Sequence, residues 1–330
     1  MKKIIIILVV CLATTHAFAQ SLAGVTHKPD TSYNNNVAYR SVIKNWPDAK
    51  IVPEFQSPSF KEKRNITYST LHLDSAERKL LLDAFYPAAK TKIKRTAIVI
   101  IHGGGWRSGS RSQHYPLAQH LADLGYVCFT PEYRLSTEAL YPAAVYDIKA
   151  AIRWVRKNAK QYNIDPGKIA VLGFSAGGEL AAFMGATNGR TEFEGTGDNL
   201  NYSSTVNAIV DIDGTLSFVH PESGEGDESK HPSAATYWFG FTKKENVDLW
   251  KQASPLTHTG KQNPPTLFIN SSIDRMHAGR NDYIKILTEN NIYTEVKTLE
   301  NSPHHFCLME PWFTPTTKYI DDFLKEIFTK

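Results

Sequence analysis

From about residue 66 onward, short apolar runs alternate with segments whose apolar residues return every three or four positions. The runs predict strands over Ile66–Leu71, Lys79–Tyr86, Thr96–Ile101, Tyr126–Thr130, Lys168–Phe174, Ala208–Asp213, Thr266–Asn270 and Thr294–Leu299. The third, fifth and seventh are almost uninterrupted in apolar character, as expected of strands buried on both faces. Helical patterns fall over Tyr115–Leu124, Tyr141–Asn163, Ala176–Ala186, Asp282–Asn290 and Thr316–Phe328. In the second of these, Ala144, Ile148, Ala151, Ile152 and Val155 share one face. Strands that alternate with helices predict an α/β fold, a mostly parallel eight-stranded sheet with helices on both faces. The first two strands have no helix between them and read as an antiparallel hairpin at the sheet edge.

Three segments fall outside this alternation. Residues 20–60 are rich in Pro, Asn and Ser and read as an extended arm with no period of their own. Thr187–Thr205 and Thr215–Pro255 are longer than ordinary connections and read as insertions, the kind of loop that forms lids or binding surfaces. Residues 61–330 then make one domain.

The N-terminus changes the charge balance. Lys2 and Lys3 precede an apolar run from Ile4 to Leu12, and Ala17-Phe18-Ala19 supplies a small-residue cleavage site. Residues 1–19 therefore read as a signal peptide, and the protein as exported to the periplasm or beyond the cell. A lipid anchor on Cys11 would need a small residue before it, and Val10 stands there. The apolar run is too short to span a bilayer. Cleavage removes two lysines and no acid, lowering the formal charge from +4 to +2. A composition of 42% hydrophobic and 21% charged residues excludes disorder, and the balance of 37 basic against 33 acidic residues lacks the basic footprint of a nucleic-acid binder.

Gly173-Phe174-Ser175-Ala176-Gly177 lies between an apolar strand and a helical pattern. That context marks a nucleophile elbow, where a serine on a sharp strand-to-helix turn stands clear of its neighbours. His102-Gly103-Gly104-Gly105-Trp106 closes the third strand. Its glycines let backbone amides approach a substrate, so Gly104, Gly105 and Ala176 are the expected oxyanion donors. A phosphate loop is the competing reading, but neither a Lys-Ser/Thr pair nor a G-x-G-x-x-G spacing is present. A serine nucleophile needs a base and an acid to orient it. His304 is the favoured base and His305 the alternative; both follow the eighth strand. Asp274, just beyond the seventh strand, is the favoured acid, with Asp282 and then Asp213 as alternatives. No metal-ligand spacing links His277 with the His304-His305 pair, and no cofactor is expected.

The segment His102–Trp106, Pro131-Glu132-Tyr133-Arg134-Leu135, Tyr141-Pro142-Ala143-Ala144 with Asp147, and Gly173–Gly178 together resemble the bacterial carboxylesterase branch of the α/β-hydrolases. The resemblance runs from about Leu71 to the C-terminus. Pro303–Phe306 with Pro311-Trp312-Phe313 is similar, more loosely, to secreted esterases of plant cell-wall polysaccharide. It implies the hydrolase fold, a Ser-His-Asp mechanism and no cofactor. Glu179 departs from the pattern, since many relatives carry His there. The strand order of that fold would set Cys128 and Cys307 several strands apart, implying two free thiols.

Arg275, His277 and Arg280 crowd the loop after Asp274, and Arg107 and Arg111 follow the glycine segment. Guanidinium groups beside a nucleophile suit the carboxylates of a galacturonan, although pairing with the acidic loop Glu222–Glu228 is an equal reading. Trp106, Arg275, His277 and Arg280 are the expected substrate contacts. Tyr237-Trp238-Phe239-Gly240-Phe241 is expected to stack on sugar rings or, better, to pack a lid core. The expected function is hydrolysis of methyl or acetyl esters on pectin. Acetylxylan, feruloyl or general carboxylesterase activity is the alternative. The reading from another class is a non-catalytic secreted carbohydrate-binding protein. A peptidase of the prolyl-oligopeptidase kind is disfavoured by the His-Gly-Gly-Gly segment.

Overall fold

Eight strands form one sheet: β1 (Phe60–Leu73), β2 (Ala76–Pro87), β3 (Arg95–Ile101), β4 (Val127–Pro131), β5 (Ile164–Phe174), β6 (Ala208–Ile212), β7 (Thr266–Asn270) and β8 (Thr294–Thr298). Their order is β1-β2-β4-β3-β5-β6-β7-β8. β2 runs antiparallel to both β1 and β4, and β3 to β8 pair in parallel. The expected edge hairpin is therefore present. The structure is a computed structural model that describes residues 24–73, 76–228 and 231–329; the expected export segment and Cys11 lie outside them.

Alternation along the strands divides the core. Ala97, Val99 and Ile101 of β3 point to one side, with Val171 of β5 and Ile148, Ile152 and Val155 of the helix Ala143–Lys157. Ile98 and Ile100 point to the other, with Leu172, Val210 and the helices Tyr115–Asp123 and Phe313–Phe328. Both faces of the central strands are covered, which is why their sequences show no polar alternation.

The arm is not wholly extended. Asn35–Val42 forms α1, and the Asn34 side chain accepts from the amides of Asn36 and Val37 at its start. Ala38 and Val42, one turn apart, anchor it in the core. An eight-residue helix with two buried positions leaves little periodic signal. The helices numbered in chain order after it are α2 (Tyr115–Asp123), α3 (Ala143–Lys157), α4 (Ala176–Ala186), α5 (Ala234–Phe239), α6 (Val247–Gln252), α7 (Pro255–His258), α8 (Arg280–Glu289) and α9 (Phe313–Phe328). The long insertion thus contains α5 and α6, and Trp238, Phe239 and Trp250 bury their rings against Phe218. The aromatic run packs a core.

Cys128 on β4 and Cys307 in the turn after His304 are buried free thiols, and burial pushes both above the ordinary thiol range. The chain after removal of residues 1–19 should titrate two thiols with Ellman's reagent when denatured without reductant, and essentially none when native. A denatured count of zero would mean a disulfide.

One residue, Ser175, separates β5 from α4. A Cβ on Gly173 would lie 1.8 Å from the Gly177 carbonyl oxygen, so the turn closes only around a residue with no side chain. Gly173→Ala should cost about 3 kcal/mol or more of stability, or prevent folding. Chemical denaturation of the purified variant measures this; a wild-type midpoint would contradict the geometry.

Candidate active site

Ser175 stands at φ 57° and ψ −120°, in a backbone region that residues with a side chain rarely enter. The turn directs Oγ toward His304, whose Nε2 lies 2.9 Å away. On the far side of the ring, His304 Nδ1–H donates to Asp213 Oδ2, also at 2.9 Å. A carboxylate accepts only, so this bond sets the tautomer and leaves Nε2 as the acceptor for the serine hydroxyl. Asp213 follows the last residue of β6, its side chain fully buried, and its Oδ1 accepts from the Ser271 amide at 2.8 Å. Both carboxylate oxygens thus accept a hydrogen bond.

The expected acid is corrected. Asp274 begins a single 3-10 turn, Asp274–His277, with its side chain 99% exposed and 3.9 Å from His277 Nε2. Asp282 lies in the first turn of α8, 3.4 Å from His220. Neither meets His304. The reason is strand adjacency: β6 is the direct neighbour of β5, so a carboxylate at its tip stands beside the turn that carries Ser175. The signal was present in Asp213, the residue that ends the sixth apolar run. His305 turns away from the serine and packs near Tyr33 and Phe174, where burial lowers its imidazole pKa to about 4.

The glycine segment lies against the elbow. A Cβ on Gly103 would come within 3.1 Å of Ser175 Cβ, and one on Gly104, at φ 127°, would meet the Ser108 carbonyl oxygen at 1.8 Å. Gly105 and Trp106 follow at φ 60° and 55°. Ala176 is the first residue of α4, where amides have no intrahelical acceptor and the helix dipole is positive. The amides of Gly104, Gly105 and Ala176 therefore belong to two backbone segments that converge near Ser175.

Several expected substrate contacts are redistributed. Trp106 is buried, stacked on Trp238 at 4.9 Å, and its Nε1–H donates to Glu179 Oε2 at 2.9 Å, so its ring is a packing element. Arg111 is committed to Asp83 and Glu132, each at 2.7 Å. Arg107 lies over the Tyr237 ring at 4.2 Å. His277 and Arg280 line a cavity of about 270 Å³ with Glu222, Asp274 and Asn281, while Arg275 is exposed beside Gly224 of the acidic loop. Arg280 is held by Asn270 Oδ1 at 2.7 Å and by Asn281. Burial, then the charge of Arg280, lowers the His277 pKa. Asn270 ends β7, the neighbour of β6, so its bond to Arg280 anchors one wall of the cavity to the strand next to the one that Asp213 follows.

The sequence model of the BD-FAE family matches residues 82–279, which include the glycine segment, the elbow and Asp213. Among curated proteins, the chain is 30% identical over 187 residues to the probable carboxylic ester hydrolase LipM and 28% over 201 residues to the esterase LipQ, both of Mycobacterium tuberculosis. Those matches cover 55% and 60% of this chain but only 40% and 47% of the relatives, so the chain spans less than half the length of either. Among solved structures, a truncated carbohydrate esterase from gut microbiota superposes with a TM-score of 0.70 at 26% identity, covering 84% of this chain and all of the other. A butyrate-bound thermophilic esterase of Thermogutta terrifontis gives 0.64 at 27% identity, over 82% of this chain and 95% of that one. No helix among the described residues is long and apolar enough to cross a membrane. The fold is that of the α/β-hydrolases, and the chain, matched over more than half its length, belongs to the BD-FAE family.

Proposed function

We propose that the protein is an exported serine ester hydrolase acting on esterified carbohydrate. The observation that carries this reading is the unbroken Ser175–His304–Asp213 chain, 2.9 Å at each link, beside a glycine-rich turn. In the reaction, His304 Nε2 takes the Ser175 proton as Oγ attacks the ester carbonyl. The imidazolium that forms is stabilised by Asp213. The amides of Gly104, Gly105 and Ala176 receive the developing oxyanion. His304 then protonates the leaving alkoxide, and water repeats the cycle on the acyl-enzyme.

For the substrate, the likeness to a carbohydrate esterase and the polar cavity lined by His277 and Arg280 both support a sugar ester. Every lining side chain among the described residues is a hydrogen-bonding group, as polyhydroxylated rings require. The Arg280 guanidinium supports pectin, whose uronates carry carboxyl groups. A second reading, an acetylated neutral polysaccharide such as acetylxylan, is favoured by Glu222 and Asp274, whose carboxylates share the cavity with Arg280 and oppose a polyanion.

Ser175→Ala should lower turnover of p-nitrophenyl acetate by about 10⁵-fold, and Asp213→Asn by about 10³–10⁴-fold. Asp274→Asn should stay within about twofold of wild type, because an exposed carboxylate away from the base contributes little. Steady-state kinetics on the three variants decides; a large loss at Asp274 with none at Asp213 would reverse the acid assignment. Incubation with acetylated and methylated pectin and with acetylxylan, scoring acetate against methanol, selects the substrate. Release of neither from any of them would remove the polysaccharide reading and leave a general carboxylesterase.

A further inference from the structure

A second carboxylate lies beneath the elbow and has no part in the chain of bonds above. Glu179 sits one turn into α4, its amide donating to the Ser175 carbonyl at 3.0 Å. Its side chain is fully buried; Oε2 accepts from Trp106 Nε1 and Oε1 has no hydrogen-bond partner among the described residues. Trp106 terminates the Gly103-Gly104-Gly105 turn. Its carbonyl accepts from the Ser136 amide at 2.7 Å, and its indole stacks on Trp238 and meets the edge of Phe218. The indole-to-carboxyl bond therefore ties the turn that carries the Gly104 and Gly105 amides to the helix that carries the Ala176 amide.

We propose that Glu179 is a positioning residue for ester hydrolysis, holding the Trp106 indole so that the Gly104 and Gly105 amides stay in register with that of Ala176. Two donor segments from different strands must converge on one oxygen, and drift of either by a fraction of an ångström weakens the hydrogen bonds that form in the transition state. The turn has positive φ over three successive residues and is closed by the Gly104 carbonyl, which accepts from the Arg107 and Ser108 amides at 3.2 and 3.0 Å, bonds that hold its shape but do not reach α4. The side-chain tether at its end supplies the link to α4.

The surroundings of this carboxyl favour its uncharged form. Burial raises its pKa well above the ordinary carboxylate range, partly opposed by the Trp106 bond, and Asp211 raises it further. A protonated carboxyl and a carboxamide have the same charge and nearly the same shape, so glutamine keeps the acceptor. Leucine fills the volume and leaves a buried indole N–H unpaired.

The proposal rests on Ser175 as nucleophile, and the two fail separately. Ser175→Ala with wild-type turnover sinks the nucleophile. The tether is tested in the full chain by p-nitrophenyl acetate kinetics on Glu179→Gln, Glu179→Leu, Trp106→Phe and the Trp106→Phe/Glu179→Leu double variant, with thermal unfolding checked for each. Glu179→Leu should lose about tenfold or more in kcat with KM within about twofold, and Glu179→Gln should stay within about threefold of wild type. Trp106→Phe should show the same split, and the double variant should be no worse than the poorer single one. Multiplying losses, equal damage by Gln and Leu, or wild-type kcat in Glu179→Leu would overturn the proposal. If Glu179→Leu does not fold, Glu179→Gln and Trp106→Phe decide: wild-type kcat in Trp106→Phe, or a loss of ten-fold or more in Glu179→Gln, overturns it.

Discussion

The site depends on one turn, the single-residue junction between β5 and α4. Holding Ser175 at a positive φ is unfavourable in isolation and persists because the surroundings leave no alternative. A Cβ on Gly177 would lie 2.2 Å from the Ile101 carbonyl oxygen, so α4 starts pressed against the end of β3. That close approach requires the parallel pairing of β3 with β5, and it brings the glycine turn after β3 against the serine. The placement of the Ser175 hydroxyl, the amides and the helix dipole follows from the same contact.

The rest of the site is assembled from strand ends. β5 lies between β3 and β6, so the C-terminal tips of its neighbours deliver the glycine segment on one side and Asp213 on the other. Crevices outside the carboxyl ends of parallel strands are where α/β proteins place ligands. His304 arrives from the far edge, after β8, and the chain then returns: Met309–Glu310 pairs with Lys50–Ile51 of the arm, and Cys307 joins the core below. The arm also reaches the glycine turn. The Asp30 carbonyl accepts from the Gly109 amide at 2.9 Å, and the Tyr33 amide donates to Ser108 Oγ at 2.9 Å. A segment without visible periodicity is thereby bound to the face that carries Ser175.

The insertion between β6 and β7 has a similar double character. Its buried rings, Trp238 and Phe218, form the surface on which Trp106 rests, while its acidic loop supplies Glu222 to the polar cavity. Charges that look like a cationic cluster along the chain are dispersed in space. Arg111 is spent on Asp83 and Glu132, Arg107 covers an aromatic ring, and Arg280 shares its cavity with two carboxylates. Sequence proximity measured composition near the site; it did not measure net charge within it.

Strand identity, the elbow and the glycine segment were legible because each is a local property. Apolar runs specify strands buried on both faces, and Gly-x-Ser-x-Gly specifies a turn whose steric demands involve residues only a few positions apart. Boundaries were less so. β1 begins six residues earlier than its periodicity suggested, because register shifts between Lys63 and Ile66 and between Thr67 and Ser69 interrupt the alternation. The bond from His304 to an acid was beyond local reading: Asp213 and His304 are 91 positions apart, and several carboxylates follow strands in the right chain order. Only the lateral order of the strands decides which of those carboxylates stands next to the elbow. The same holds for Trp106 and Glu179, 73 positions apart, whose chemistry appears only when the β3 turn and α4 are packed together. The sequence by itself determined which elements form and what chemical groups they carry; the tertiary structure alone decided which of those groups meet, because that depends on the neighbours each strand acquires in the sheet.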